Sequence, residues 1–158
     1  TWRPLAAENG MTKNRFDKAH LLEVLTGESS FYRALHVLID RQREGLQENS
    51  DVRMCDLFTE IGRVQKRIES SEQTIQSARR SSPEAFAEWV RSPEVRNILD
   101  DIAELITRSQ NLVAECLLIA RAKRVEYQHE LGKMNQGRRL FASMAPTENG
   151  PRYLDARP

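Results

Sequence analysis

The sequence predicts an all-α protein: an antiparallel bundle of three long helices plus a short connecting helix, with the third long helix overhanging the bundle and a flexible C-terminal tail. Composition is the first reason, since 30% of the 158 residues are charged, 6% are aromatic and only seven are glycine, as in long amphipathic helices. The second reason is that apolar residues recur at alternating spacings of three and four. The third is that Ser-Pro-Glu, a common helix start, occurs at 82–84 and again at 92–94.

Residues 1–16 lack any clear hydrophobic period and include Pro4 and Gly10. We therefore expect a mobile leader over 1–16. Met11 is a candidate translation start, which would make residues 1–10 an addition to the native chain.

The first helix is expected to begin after Asp17, a good N-cap residue. The residues that recur on one side of this helix, called its seam here, have the spacing of a coiled coil. They are Leu21, Leu25, Glu28, Tyr32, Leu35, Ile39, Gln42 and Leu46. Glu28 and Gln42 interrupt this seam, as polar residues do at a helix rim or where they fix helix register. The residues Asn49-Ser50-Asp51 predict a turn and the next helix cap.

The second helix repeats the same spacing and ends in Arg79-Arg80, where positive charge complements the helix dipole. Its seam consists of Leu57, Ile61, Val64, Ile68, Ser71, Ile75 and Ala78. A short helix of about two turns is expected from Pro83 to Arg91.

The third seam is the longest and runs from Val95 to Ile119, with a weaker continuation to Leu131. A helix from Pro93 to about Asn135 would outrun the other two, so it must either overhang the bundle or fold back. We therefore expect a helical bundle over 17–135 and a flexible tail over 136–158, where glycine and proline become frequent.

Composition and charge exclude several classes of protein. Two cysteines cannot form a disulfide scaffold, and no apolar run reaches the ~20 residues that a membrane span needs. Together with the absence of a signal-peptide pattern, this predicts a soluble cytoplasmic protein. A net charge of +1 argues against a general nucleic-acid binder, although residues 121–158 carry eight basic and four acidic side chains.

No group of residues has the pattern of a catalytic or metal site. The pair Glu126 and His129 has the spacing of half a di-iron site, but no second copy follows, and His36 with Asp40 lacks a third ligand. Neither cysteine has a partner base at a suitable spacing. We expect a protein that is not an enzyme, with no catalytic residues, no metal and no cofactor.

The most informative residues are apolar ones near the end of the third helix, where no partner helix of matching length is available to cover them. Methionine and aromatic side chains on a basic segment suit an adaptable protein-binding surface. The alternative is that this stretch folds back along the first helix or pairs with its equivalent in a dimer. The candidate partner-binding residues are Asn111, Leu112, Cys116, Leu117, Tyr127, Leu131, Met134, Leu140, Phe141 and Met144.

Three stretches carry a resemblance to a known family: the first-helix seam over 21–46, the Gln-Asn-Leu-Val-Ala-Glu-Cys-Leu sequence at 110–117, and Tyr-Leu-Asp-Ala at 153–156. With the order of helices and tail, they resemble the FlgN flagellar export chaperones over roughly residues 17–156. In that family the tail often reads Tyr-Asp followed by Gly, whereas Leu154 separates Tyr153 from Asp155 in this chain.

The resemblance implies a cytoplasmic chaperone of flagellar type III export. Such a chaperone binds the C-terminal helices of hook-associated (hook–filament junction) proteins, prevents their premature assembly and delivers them to a membrane export gate. It implies gate docking through Tyr153 and Asp155. The alternatives are a dimeric coiled-coil adaptor or regulatory protein with no export role and, third, an RNA-associated helical protein; the chain would be a monomer or a homodimer, and no nucleic-acid partner is expected.

Overall fold

The computed structural model describes residues 15–144, with the side chains of residues 51 and 52 outside the description. Within that range the chain is entirely helical and contains no strand, in a helical bundle fold. Its helices are α1 (Lys18–Glu48), α2 (Asp51–Ser81), α3 (Pro83–Arg91) and α4 (Pro93–Met144). The all-α class, the short helix at Pro83–Arg91 and the start at Pro93 are confirmed.

The sequence also predicts how α1 begins and ends. The Asp17 carboxylate accepts a hydrogen bond from the His20 backbone N–H at 2.9 Å, which caps α1 and lowers the pKa of Asp17. At the other end Asn49 adopts a left-handed conformation, with φ 57°. Asparagine tolerates that conformation better than most residues, so the chain can turn within two residues and enter α2 at Asp51.

The two Ser-Pro-Glu starts are correctly placed, and their serines act in two different ways. The Ser82 side chain makes no capping hydrogen bond. The Ser92 hydroxyl donates instead to the Trp89 carbonyl at 2.7 Å, which satisfies an end carbonyl of α3. Proline at the first helical position therefore marks these starts more reliably than the serine before it.

The chain divides into two units, residues 1–116 and residues 117–158. In the first unit, one buried cluster joins α1 to the start of α4 through Leu21, Leu25, Val95 and Ile102. Partly buried aromatic residues pack against this cluster, among them Phe16, which the sequence had assigned to the leader. Its ring centroid lies 6.2 Å from that of Trp89.

A second buried cluster in the first unit consists of Ile39, Leu112 and Cys116. The contacts between α1 and α4 pair residues whose numbers rise together: Lys18 forms an ion pair with Glu94 at 2.9 Å, and Arg43 forms one with Glu115 at 3.0 Å. These two helices therefore run in the same direction.

Along the contacts between α1 and α2, the residue numbers of α1 rise as those of α2 fall. The Ser71 hydroxyl donates to the Glu28 carboxylate at 3.3 Å, whereas near the turn a Cβ built on Gly45 would lie 3.1 Å from the Met54 sulfur. The two helices are therefore antiparallel, and glycine permits their close approach at position 45.

The second unit, as far as it is described, consists of residues 117–144 of α4. The sequence predicted the end of this helix near Asn135, and α4 instead ends at Met144. Gly132 and Gly137 lie inside the helix because an isolated glycine costs only about 1 kcal/mol, which neighbouring helix formers such as Lys133 and Met134 can offset. Over residues 15–144 no helix has the length and apolar character needed to cross a membrane.

Candidate protein-binding surfaces

Residues 117–144, named here the exposed segment, carry most of the uncovered apolar surface. Nine of the twelve large hydrophobic side chains that are exposed in the described residues belong to it. They are Leu117, Leu118, Val125, Tyr127, Leu131, Met134, Leu140, Phe141 and Met144. Isolated apolar side chains are ordinary on a protein surface, but a concentration of this kind marks an interaction site.

Three of these side chains form a stripe along one side of the helix. Tyr127, Met134 and Phe141 follow one another at intervals of seven, and at 3.6 residues per turn they fall within about 40° of arc. Leu131 lies beside them, about 40° from Tyr127 on the other side. Since Phe141 is 79% and Met134 61% exposed, this apolar stripe has no cover in the described residues.

The exposed segment is also basic, with six basic and two acidic side chains. The basic residues are Arg121, Lys123, Arg124, Lys133, Arg138 and Arg139. Arg124 and Arg138 lie on the side of the stripe that Leu131 occupies, and Glu130 lies on the other side. The stripe therefore favours a partner that presents its own apolar stripe with carboxylates along one edge.

The ten partner-binding candidates divide into two groups. Leu117, Tyr127, Leu131, Met134, Leu140, Phe141 and Met144 are exposed, and so is Asn111. Leu112 and Cys116 are buried against Ile39, so they stabilise the first unit and offer no free surface to a partner. These two residues lie on the face of α4 that meets α1, which their position in the third seam already indicated.

A groove of about 540 Å³ lies inside the first unit between α1, α2 and α4, and is named here the central groove. Its walls are apolar or neutral, and no charged side chain is among the residues that line it. They are Tyr32, Leu35, Ile39, Gln42, Phe58, Ile61, Gln65, Ile106, Ser109, Gln110 and Val113. Phe58 is 56% exposed here, which gives the first unit a second apolar surface able to contact a helix.

The predicted seams do not include Phe58 or Val113, because each is adjacent to a seam residue. Phe58 follows Leu57, and Val113 follows Leu112. The sequence feature that could have identified them is the pair of consecutive apolar residues at each place. Such a pair makes the apolar face of the helix wider than contact with one other helix requires. Gln42 was identified as an interruption of the seam, and it lines this groove.

The other interruption, Glu28, is buried between α1 and α2. Burial raises the pKa of this carboxyl, while the hydrogen bond from Ser71 acts in the opposite direction. One turn later the Tyr32 hydroxyl donates to Glu72 at 3.3 Å, and burial with the nearby carboxylates raises the pKa of Tyr32 to about 12. Both groups therefore form hydrogen bonds between α1 and α2.

Among the other candidates for chemistry, His36, Asp40 and Cys116 have structural partners, whereas Glu126, His129 and Cys55 are exposed. The His36 ring nitrogen lies 3.4 Å from the Ser109 hydroxyl, and Asp40 pairs with Arg43. The Cys116 thiol points to the Ile39 carbonyl at 3.9 Å, and burial raises its pKa, which disfavours the reactive thiolate. Over residues 15–144 no three His, Cys, Asp or Glu residues are grouped so as to hold a metal ion.

The gate-docking candidates Tyr153 and Asp155 lie outside the described residues. No family model, no curated protein and no solved structure matches this chain. The function is therefore argued from the surfaces described above.

Proposed function

We propose that this protein is a cytoplasmic, non-enzymatic chaperone of flagellar type III export. It would bind the C-terminal helices of hook-associated proteins, prevent their premature assembly and deliver them to the export gate. The concentration of exposed apolar side chains on the exposed segment carries this proposal. The resemblance of the first-helix seam, residues 110–117 and the tail to the FlgN family supports it.

The proposed architecture is an antiparallel bundle of three long helices with an overhanging third helix and a flexible tail. In this arrangement the overhang supplies the client-binding surface, because a client helix would cover a stripe that has no partner within the described residues. Covering the stripe with a client helix is favourable, since each Å² of apolar surface removed from water contributes about 25 cal/mol. An amphipathic helix laid against such a stripe is a common form of peptide recognition.

The decisive experiment compares two forms of a hook-associated protein, one complete and one without its C-terminal helices. The complete client should form a stable complex with the chaperone in size-exclusion chromatography. The shortened client should elute separately. Equal binding of both forms would contradict the proposal.

A matched pair of variants tests which side of the exposed segment binds the client. Tyr127→Ala with Met134→Ala and Phe141→Ala removes the apolar stripe. Leu118→Ala with Val125→Ala removes exposed apolar side chains from the opposite side of the same helix. We expect the first variant to weaken client binding by at least about a hundredfold, since each large anchor contributes roughly 1–2 kcal/mol or more, and the second to change it little.

Gate docking is a separate step that we assign to Tyr153, with Asp155 beside it. Tyr153→Ala should leave client affinity unchanged and lower the amount of client exported. Normal export by this variant would remove Tyr153 from the proposal without affecting client binding.

The alternative function is a dimeric coiled-coil adaptor or regulatory protein with no export role. The spacing of seven between Tyr127, Met134 and Phe141 favours it, since heptads pair helices. Sedimentation velocity over a range of concentrations separates the two functions. A monomer at all concentrations is expected for the chaperone, whereas a dimer that the stripe variant dissociates would favour the adaptor.

A further inference from the structure

A second groove, distinct from the central groove, lies between α1 and α2 and is named here the arginine groove. Its volume is about 490 Å³. Four arginines line it, two from each helix: Arg33 and Arg41 from α1, and Arg63 and Arg67 from α2. All four are exposed.

The floor between the two rows of arginine is aliphatic. It consists of Ala34, Val37, Leu38 and Val64. Val37 is 49% exposed although it lies in the middle of a well-packed helix pair. The first unit therefore presents a groove in which aliphatic side chains lie beside arginines from both helices.

The arginines that line this groove are a local exception to the charge of the surrounding residues. Residues 15–116 carry 18 acidic and 14 basic side chains, yet Glu60 is the one acidic residue among those that line the arginine groove. The choice of arginine is also informative, because a guanidinium binds a carboxylate through two parallel hydrogen bonds, which a lysine cannot do.

We propose that the arginine groove docks an acidic amphipathic helix of a partner protein. The aliphatic stripe of that helix would lie on Val37 and Val64, and glutamates or aspartates on both sides of the stripe would pair with the four arginines. This surface uses no residue of the exposed segment, so this proposal does not depend on the proposed client-binding role.

The neighbouring surface favours a peptide over nucleic acid. Arg41 and Glu60 also line the next pocket along the same helix pair, which contains Glu44, Glu48 and Asp56. A phosphate backbone that continued along α1 and α2 would meet these carboxylates, and it has no aliphatic stripe to place on the floor. A short helix that spans only the arginines of this groove ends before these carboxylates and avoids the repulsion.

The experiment measures binding of a fluorescent synthetic peptide to the full chain by anisotropy at low ionic strength. The peptide is an amphipathic helix of about four turns, long enough to span Arg33 to Arg41, with leucines on one face and glutamates at both edges. A scrambled peptide of the same composition keeps the charge and loses the stripe. A single-stranded oligonucleotide and vesicles of anionic lipid serve as competing ligands.

The groove variant is Arg33→Gln with Arg41→Gln and Arg63→Gln. Its matched control is Arg79→Gln with Arg80→Gln and Arg96→Gln, which removes the same charge from exposed positions that line neither groove and lie outside the exposed segment. We expect the groove variant to raise the peptide Kd by at least about tenfold, and the control to raise it less than about threefold. Circular dichroism and thermal unfolding establish that both variants remain folded.

A variant with lysine at the same three positions should give an intermediate Kd, since charge is kept and bidentate geometry is lost. Equal binding of the scrambled peptide would overturn the proposal, and so would loss of binding in the control variant alone. Tighter binding of the oligonucleotide or the vesicles, abolished by the groove variant, would overturn it in favour of a phosphate ligand.

Discussion

At the scale of single residues, the buried carboxyl of Glu28 makes stability depend on pH. Its pKa in the folded protein is raised above the ordinary value of 4.5, chiefly by burial and to a lesser degree by the nearby Glu72. Because the folded state favours the protonated form, this residue contributes most to stability below pH 4.5. The contribution is lost as the pH rises through the folded-state pKa.

Replacement of the carboxyl by an amide should remove this pH dependence. In Glu28→Gln the amide oxygen can still accept the hydrogen bond from Ser71, and no charge is buried. We expect the free energy of unfolding to increase by about 1 kcal/mol at neutral pH, with little change below pH 4.5. Urea unfolding at several pH values measures this difference.

The control for this prediction is Glu69→Gln, which neutralises an exposed carboxyl on α2. It should shift stability by less than about 0.5 kcal/mol at either pH. A loss of stability in Glu28→Gln at neutral pH would show that the charged carboxylate is required for packing between α1 and α2.

At the scale of elements, local chemistry predicts where a helix starts, whereas where a helix ends depends on the residues of the whole segment. Asp17, Pro83 and Pro93 mark starts, because caps and prolines act on the first turn alone. The end of α4 was missed by nine residues, since two glycines resemble a boundary in the sequence but the helix continues through both. Their effect depends on the sum of propensities over the whole segment, which no single residue reveals.

The glycines should nevertheless limit the stability of the exposed segment. A Cβ at Gly132 or Gly137 would have no neighbouring atom within 4 Å, so alanine can enter at either position without a clash. Gly132→Ala and Gly137→Ala should each stabilise the local helix by about 1 kcal/mol. Slower amide hydrogen exchange over 128–141 would confirm this, and unchanged exchange would indicate that the segment is held by other contacts.

The same reasoning explains which parts of the candidate surfaces could be predicted. The exposed stripe follows from spacing alone, because one helix determines which residues share a side. The arginine groove and the central groove are each formed by residues distant in sequence, such as Arg33 with Arg67 or Tyr32 with Val113. Their assembly depends on the register between helices, which the sequence pattern does not specify.

At the scale of the whole molecule, the two buried clusters lie entirely within residues 1–116. A chain that ends at Arg124 keeps two helical turns after Cys116 and should therefore fold. We expect cooperative thermal unfolding with a Tm within about 5 °C of that of the full chain, since a change of 1 kcal/mol shifts the Tm of a domain of this size by several degrees.

Differential scanning calorimetry of the two chains tests this expectation. Under the proposed chaperone function, the shortened chain should also fail to bind a hook-associated protein, while it retains the arginine groove. A broad, non-cooperative transition would instead mean that the exposed segment contributes to the folding of the first unit.

The hydrogen bond between Ser71 and Glu28 also bears on which helix can lie against α1. Under the proposed function, a partner helix that approached α1 would compete with α2 for that position. An apolar residue opposite Glu28 would leave the buried carboxyl without its hydrogen-bond donor, at a cost of about 1–3 kcal/mol. The contact between Ser71 and Glu28 therefore favours α2 over an apolar helix as the neighbour of α1.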